Sequence, residues 1–243
     1  MKNALVVGGA NGIGLSIATE LAKRSDVEKV YIVDKAPISN EFSNEKFETY
    51  QFDLVQEDYS IFDQFQDIDT LVITAGFGRL ALFKDVDESM ISLSFNVNTI
   101  PVMRIIKRFY NKLEAQRDFY CGVMVSIAGF MSSPFFSVYA ATKSALKVFI
   151  ESVNVELLKA GSTNQILNVS PGSLRGTSFA NGKTELSVIA PMAQAIIAEM
   201  EKKNDLFIPQ YEEVFKDVLL RYQDDFRKEG AHSYDYKLER LLQ

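Results

Sequence analysis

The 243 residues contain one cysteine, one histidine and no tryptophan. A single thiol, Cys121, cannot close an internal disulfide, which points to a reducing compartment. The sole histidine, His232, sits in a charged tail and cannot anchor a set of metal ligands, so no metal site is expected. Positive charge is in deficit: 26 Lys and Arg against 32 Asp and Glu leave a net charge of −6. Nucleic acid needs a basic face, so no nucleic-acid partner is expected. No apolar run approaches the ~18–20 residues of a membrane span, which removes a membrane partner. Met1-Lys2-Asn3 runs at once into Ala4-Leu5-Val6-Val7, without the basic, apolar and cleavage regions of a signal peptide. Together these absences predict a soluble, cytoplasmic protein.

What is present is an ordinary globular composition, 47% apolar and 24% charged. Short apolar runs alternate with longer segments of helical period. Strands are expected at Ala4–Val7, Lys29–Asp34, Thr49–Phe52, Thr70–Thr74, Cys121–Ser126, Gln165–Val169 and Leu206–Ile208. Helices are expected at Ile13–Lys23, Asp58–Phe65, Asp87–Gln116, Tyr139–Lys159 and Ser187–Lys202. Strands alternating with helices imply βαβ units, hence one α/β domain with a doubly wound parallel sheet and helices on both faces. The Gly- and Ser-rich stretch 170–185 is the candidate substrate lid. Pro101 removes one backbone donor inside the Asp87–Gln116 segment, which predicts a local bend there or a tolerated kink.

The first strand leads into Gly8-Gly9-Ala10-Asn11-Gly12-Ile13-Gly14 and then a helix. Glycines allow a tight turn and close approach of a pyrophosphate, while the helix start offers free N–H groups. Such turns also close ordinary strand–helix corners. Asp34, ending the second strand, can bond a ribose 2′-hydroxyl and repel a 2′-phosphate, which favours NAD over NADP. Lys35 follows directly and softens that repulsion, and Asp34 has the bland alternative of capping the next turn.

The pattern Tyr-x-x-x-Lys occurs twice. Tyr31 and Lys35 lie in a strand, where such positions are about 13 Å apart. Tyr139 and Lys143 open a helix, where the same spacing puts phenol and ammonium on one face. The first pair is a decoy and the second can be chemistry.

With these motifs in order, the chain resembles the short-chain dehydrogenase/reductase family in its ordinary short form, with its Rossmann-like fold. The resemblance runs from Val6 to about Pro209. Gly8-x-x-x-Gly12-x-Gly14 matches the cofactor turn, and Tyr139-x-x-x-Lys143 matches the catalytic pair. Ser126 matches the catalytic serine, and Asn98 the catalytic asparagine, with Asn96 as fallback. Asp53-Leu54 resembles the adenine contact, Thr74-Ala75-Gly76 stands where Asn-Ala-Gly is usual, and Pro171-Gly172 matches the turn after the sixth strand.

The resemblance implies hydride transfer between NAD(H) and a small alcohol or ketone. Tyr139 would be general acid/base, its phenol acidified by Lys143 and by the oxidised nicotinamide, with Ser126 bonding the substrate oxygen. Lys143 would also hold the nicotinamide ribose, and Asn98 a water relaying protons to it. Family dimers pair through the helices carrying Asn98 and Tyr139, so a homodimer is expected; a tetramer is doubtful. The family's C-terminal end is missing. Residues 210–243 form an atypical extension instead, with a further helix expected at Tyr211–Tyr222. Val7 and Thr74 replace the usual Thr and Asn, which puts the support of the cofactor loop in question.

Phe77, Phe130, Met131, Phe135, Phe136 and Phe179 flank the pocket in relatives and would suit a bulky apolar substrate, although aromatics are more often core. Arg79 and Arg175 near the same mouth can clamp a carboxylate or phosphate, or remain solvated. Two other functions stay open: sugar-nucleotide modification, and a non-catalytic dinucleotide-sensing regulator.

Overall fold

A computed structural model describes residues 1–177 and 183–241. Among these, seven parallel strands form one sheet: β1 (Asn3–Val7), β2 (Lys29–Asp34), β3 (Phe47–Gln51), β4 (Thr70–Ile73), β5 (Tyr120–Met124), β6 (Ile166–Val169) and β7 (Leu206–Phe207). Their order is β3-β2-β1-β4-β5-β6-β7. The chain reverses direction across the sheet between β1 and β4, the place where doubly wound sheets open a crevice at their carboxyl ends.

Side chains alternate across each strand and build two cores. Leu5, Val7, Leu71, Ile73 and Val123 face one layer. That layer contains α3 (Ile100–Glu114) and α4 (Ser137–Lys159), with α2 (Glu88–Asn98) packed on α4. Ala4, Val6, Val30, Ile32, Leu167 and Val169 face α1 (Gly12–Ala22) and α5 (Leu186–Glu201). Cys121 is buried in the first core, where burial pushes its thiol well above the ordinary value, so it is an inert strand residue.

Two expected helices differ. Residues 58–65 form only a 3₁₀ turn, Ser60–Gln64. Tyr59, Phe62 and Phe65, all fully buried, recur every third residue, which is the period of a 3₁₀ helix rather than an α-helix. The segment 87–116 is two helices, α2 and α3, separated at Thr99 (φ −121°, ψ −61°). Pro101 has no N–H to continue the ladder and sits instead in the first turn of α3, where none is needed.

After β7 a π-helical turn, Tyr211–Phe215, leads into α6 (Lys216–Asp224) and α7 (Phe226–Leu241). The extra helix expected at 211–222 is therefore present, as a π-helical turn followed by α6, and the chain is helical again from Phe226 to Leu241. No described helix is long and apolar enough to cross a membrane.

Candidate active site

The glycine turn is shaped by close packing. Gly8 has φ +85°, and a Cβ there would lie 2.5 Å from the Ala75 amide nitrogen. Gly14 is closed in by the Gly8 carbonyl and the Thr74 hydroxyl, so neither position admits a side chain. Thr74, which stands in place of the usual asparagine, does tie the strands: Oγ1 donates to Val7 O at 3.2 Å and to Gly8 O at 3.0 Å. The doubt over support of the loop is answered at that position. Helix α1 starts at Gly12, so its first amides have no acceptor within the helix, and the Asn11 side chain caps none of them.

Asp34 links this turn to the end of β2. Its Oδ2 accepts the Ala10 N–H at 2.9 Å and its Oδ1 the Ala36 N–H at 3.0 Å. The capping alternative is thus real, but a carboxylate has about four acceptor sites and keeps capacity for a hydroxyl. Lys35 pairs with Asp53 at 3.2 Å, and Asp53 Oδ1 also accepts the Val55 N–H at 3.2 Å. Leu54 packs partly against the first core. This close-packed turn at a helix start, with Asp34 beside it, fits a dinucleotide.

One contact had no signal in the sequence. The Gly12 N–H donates to Thr184 Oγ1 at 2.9 Å, across 172 positions. Thr177 faces the same glycine, 3.7 Å from where its Cβ would be. Thr177 and Thr184 therefore lie on the glycine turn, and a phosphate approaching that amide would compete with the Thr184 hydroxyl.

Across the crevice, Asn98 ends α2 fully buried. Its Nδ2 donates to Phe77 O at 2.8 Å and to Thr142 Oγ1 at 3.2 Å, and its Oδ1 accepts the Phe77 N–H at 2.9 Å. Thr99, in the helix break, donates through Oγ1 to Thr142 O at 3.1 Å. The break caused by Pro101 thus seats Asn98 against α4 and the loop after β4. Asn96 is exposed on the same helix. The missing Cβ of Gly76 marks the meeting point, 3.2 Å from Asn98 Oδ1 and 3.4 Å from Lys143 Nζ.

Ser126 lies two residues past the end of β5, not within the strand. It caps the 3₁₀ turn Ile127–Gly129 by accepting the Ala128 N–H at 3.1 Å. Ile127 N–H in turn donates to Pro171 O at 3.1 Å, which brings the Pro171-Gly172 turn to the same edge. Ser126 lies near enough to the Tyr139 phenol to pull its pKa down.

The electrostatics depart from the expected acidified phenol. Burial holds Tyr139 up to about 12, and Ser126 pulls the other way without offsetting it. Lys143 is buried, its Nζ donates to Met124 O at 2.9 Å, and burial brings its ammonium down to about 8. That nitrogen lies 5.6 Å from the Tyr139 ring centroid and spends its charge on a backbone carbonyl. Phenol and amine are on one side of α4, as the helical period required, but the cation has not lowered the phenol in this state.

Tyr31 is buried among Tyr50 and Phe65 and donates to Asp67 Oδ2 at 2.9 Å, which confirms it as a core residue. Phe135 and Phe136 lie in the loop before α4, the Phe136 ring 5.8 Å from that of Tyr139. Phe130 and Met131, a few residues earlier, and Phe77, in the loop after β4, are half-buried, and Phe179 lies outside the described residues. Arg79 sits 3.8 Å from Asp87, and Arg175 is exposed. No cluster of side chains able to hold a metal occurs among the described residues.

Residues 2–186 match a family model described as short chain dehydrogenase. Among curated proteins, bovine (Bos taurus) retinol dehydrogenase 8 is 26% identical over 239 residues, covering 92% of this chain and 75% of its own. A short-chain dehydrogenase from Streptomyces avermitilis superposes with a TM-score of 0.74 at 20% identity, covering 98% of both chains. An alcohol dehydrogenase from Thermococcus sibiricus, complexed with 5-hydroxy-NADP, superposes at 0.71 and 20% identity, covering 86% of this chain and 95% of its own.

Proposed function

The chain belongs to the short-chain dehydrogenase family, and from that premise we propose that it transfers a hydride between NAD(H) and an apolar alcohol or ketone, with Tyr139 as general acid/base. The observation that carries this reading is the convergence of Asn98 and Lys143 on Gly76, with Tyr139 on the same side of α4 as Lys143 and Ser126 near its phenol. A bound nicotinamide dinucleotide supplies the hydride itself.

Gly8, Asn11, Gly12, Ile13 and Gly14 would hold its pyrophosphate, the Gly12 amide exchanging Thr184 for a phosphate oxygen. Asp34 would take a ribose hydroxyl, and Asp53 and Leu54 the adenine. Ala75, Gly76, Pro171 and Gly172 would frame the nicotinamide end, with Tyr139 and Lys143 on its ribose. A phenol held near 12 is protonated at neutral pH and can donate to a carbonyl oxygen in the reductive direction. Ser126 would bond that oxygen as charge develops on it. Asn98, tied to Phe77 and Thr142, would hold a water between the Lys143 amine and bulk solvent.

NAD is the favoured cofactor because a second phosphate would face the Asp34 carboxylate, while Lys35 is engaged with Asp53. The archaeal structure binds an NADP derivative, but at 20% identity it carries only the fold. An apolar substrate agrees in class with the retinol of the bovine relative's name, and Phe135, Phe136 and Phe77 would wall its cleft. Exposed Val148, Val155 and Leu158 form a stripe along α4 that suits a homodimer; light scattering of the purified chain would read its mass. A cytoplasmic location remains our reading of the single cysteine.

The test is direct. Purified protein with a panel of apolar ketones and aldehydes should oxidise NADH, and bind NADH at least ~10-fold more tightly than NADPH, the cost of one desolvated like-charge contact. Absence of turnover across the panel would refute the reading, and equal binding of NADPH would refute the role of Asp34.

A further inference from the structure

The C-terminal helix lies along the loop that delivers Tyr139. Gly230, Tyr234 and Lys237 recur at i, i+4 and i+7 on α7, hence on one stripe. A Cβ at Gly230 would lie 3.2 Å from Ser132 Oγ. The Tyr234 ring stacks on Phe135 with centroids 4.8 Å apart. Lys237 Nζ donates to Ser133 Oγ at 2.7 Å and to Pro134 O at 2.9 Å, and lies 5.6 Å from the Phe136 ring centroid. Every residue from Ser132 to Phe136 thus has a partner on this one helix face.

The loop needs such a hold. Phe135 adopts φ +66°, a conformation disfavoured for a bulky side chain that persists only where the surroundings over-determine it. Its carbonyl accepts the Ala81 N–H at 2.9 Å, and Tyr234 covers its ring. Phe136 then accepts the Ala140 N–H at 2.8 Å, opening α4, and sets its ring edge-on to Tyr139. Burial brings the Lys237 ammonium down to about 8, so it gives up hydration to make these two bonds.

The helix is itself anchored. Asp225 Oδ1 caps α7 at Arg227 N and Lys228 N, and Arg221 of α6 pairs with the buried Glu229 at 2.8 Å. Phe215 fills the space beside Gly172, where a Cβ would approach it to 2.7 Å. The extension therefore touches both the loop before Tyr139 and the Pro171-Gly172 turn.

We propose that this C-terminal segment is a clamp on residues 132–136, and that Lys237 and Tyr234 are positioning residues that fix Phe136 and so the phenol of Tyr139. The inference rests on the reading of Tyr139 as proton donor, acting through the loop and not on the substrate.

The full-length chain tests it through Lys237→Met, Tyr234→Ala and the conservative Lys237→Arg. Backbone amides of Ser132, Ser133, Phe135 and Phe136 should exchange with solvent ~10-fold faster or more in Lys237→Met and Tyr234→Ala, while those of β1 and α1 keep their protection. With NADH and the best ketone of the panel, kcat should fall about 10-fold in both, a modest misplacement effect, at an unchanged NADH dissociation constant. Lys237→Arg should restore both readouts. Unchanged exchange, unchanged kcat, or a Lys237→Met loss that arginine does not restore would each overturn the proposal. A wild-type protein that turns over no carbonyl sinks the functional reading instead, and exchange at 132–136 then decides the clamp alone.

Discussion

Tyr31 with Lys35 and Tyr139 with Lys143 have the same spacing and opposite fates. On β2 the phenol enters an aromatic cluster and bonds Asp67, while Lys35, just past the end of the strand, is exposed and pairs with Asp53. On α4 both side chains turn into the crevice, the phenol toward Ser126 and the amine toward Met124 O. The difference teaches that four residues carry no chemical meaning until the backbone period is known. It also shows that burial, not proximity, governs the two groups in the free protein: it raises the phenol and lowers the amine.

The sharpest way to break this contrast is to delete each hydroxyl. Tyr139→Phe should cut turnover by at least ~10²-fold, the low end for a lost general acid/base, and leave NADH binding intact. Turnover equal to wild type would return Tyr139 to the same status as Tyr31.

Replacing the amine sharpens the electrostatic half. Lys143 is lowered to about 8 from its ordinary 10.5, so between these values the unfolded chain holds a proton that the folded chain has shed. Stability carried by this group therefore rises with pH across that window and is at its lowest below about 8. Lys143→Met should lose turnover yet unfold at higher denaturant at pH 7, by roughly 2 kcal/mol after subtracting the donor lost to Met124 O. The gap should narrow toward pH 10. A variant less stable than wild type at pH 7 would show that the buried charge is not a cost.

The smallest effect belongs to the strand pair. Tyr31→Phe should cost about 1 kcal/mol for the bond to Asp67 and leave turnover unchanged. Denaturant titration and steady-state assay of one preparation read both.

Much of this was legible in the sequence because it is local. Continuous apolar runs announced β1, β2 and β5, and the glycines of the first turn announced the start of α1. Pro101 announced a break beside Asn98, although a bend and a full division into two helices look alike on paper. The spacing of Tyr59, Phe62 and Phe65 held the 3₁₀ period, and an α-helical reading overlooked it. What stayed hidden depends on partners far along the chain. Nothing near Gly12 signals Thr184, and the charged surface of residues 226–241 conceals a stripe whose meaning comes only from Ser132–Phe136. The height of the Tyr139 phenol was equally out of reach, because desolvation is set by how three segments close over one ring.

Tyr139 is an acid whose affinity for its proton should change when the nucleotide site fills. Its ionisation can be followed as the ultraviolet difference between wild type and Tyr139→Phe over pH, with and without saturating NAD⁺. The expected midpoint is near 12 in the free protein, with a fall of about two units or more once the cationic ring is bound. An unchanged midpoint with NAD⁺ demonstrably bound would contradict it.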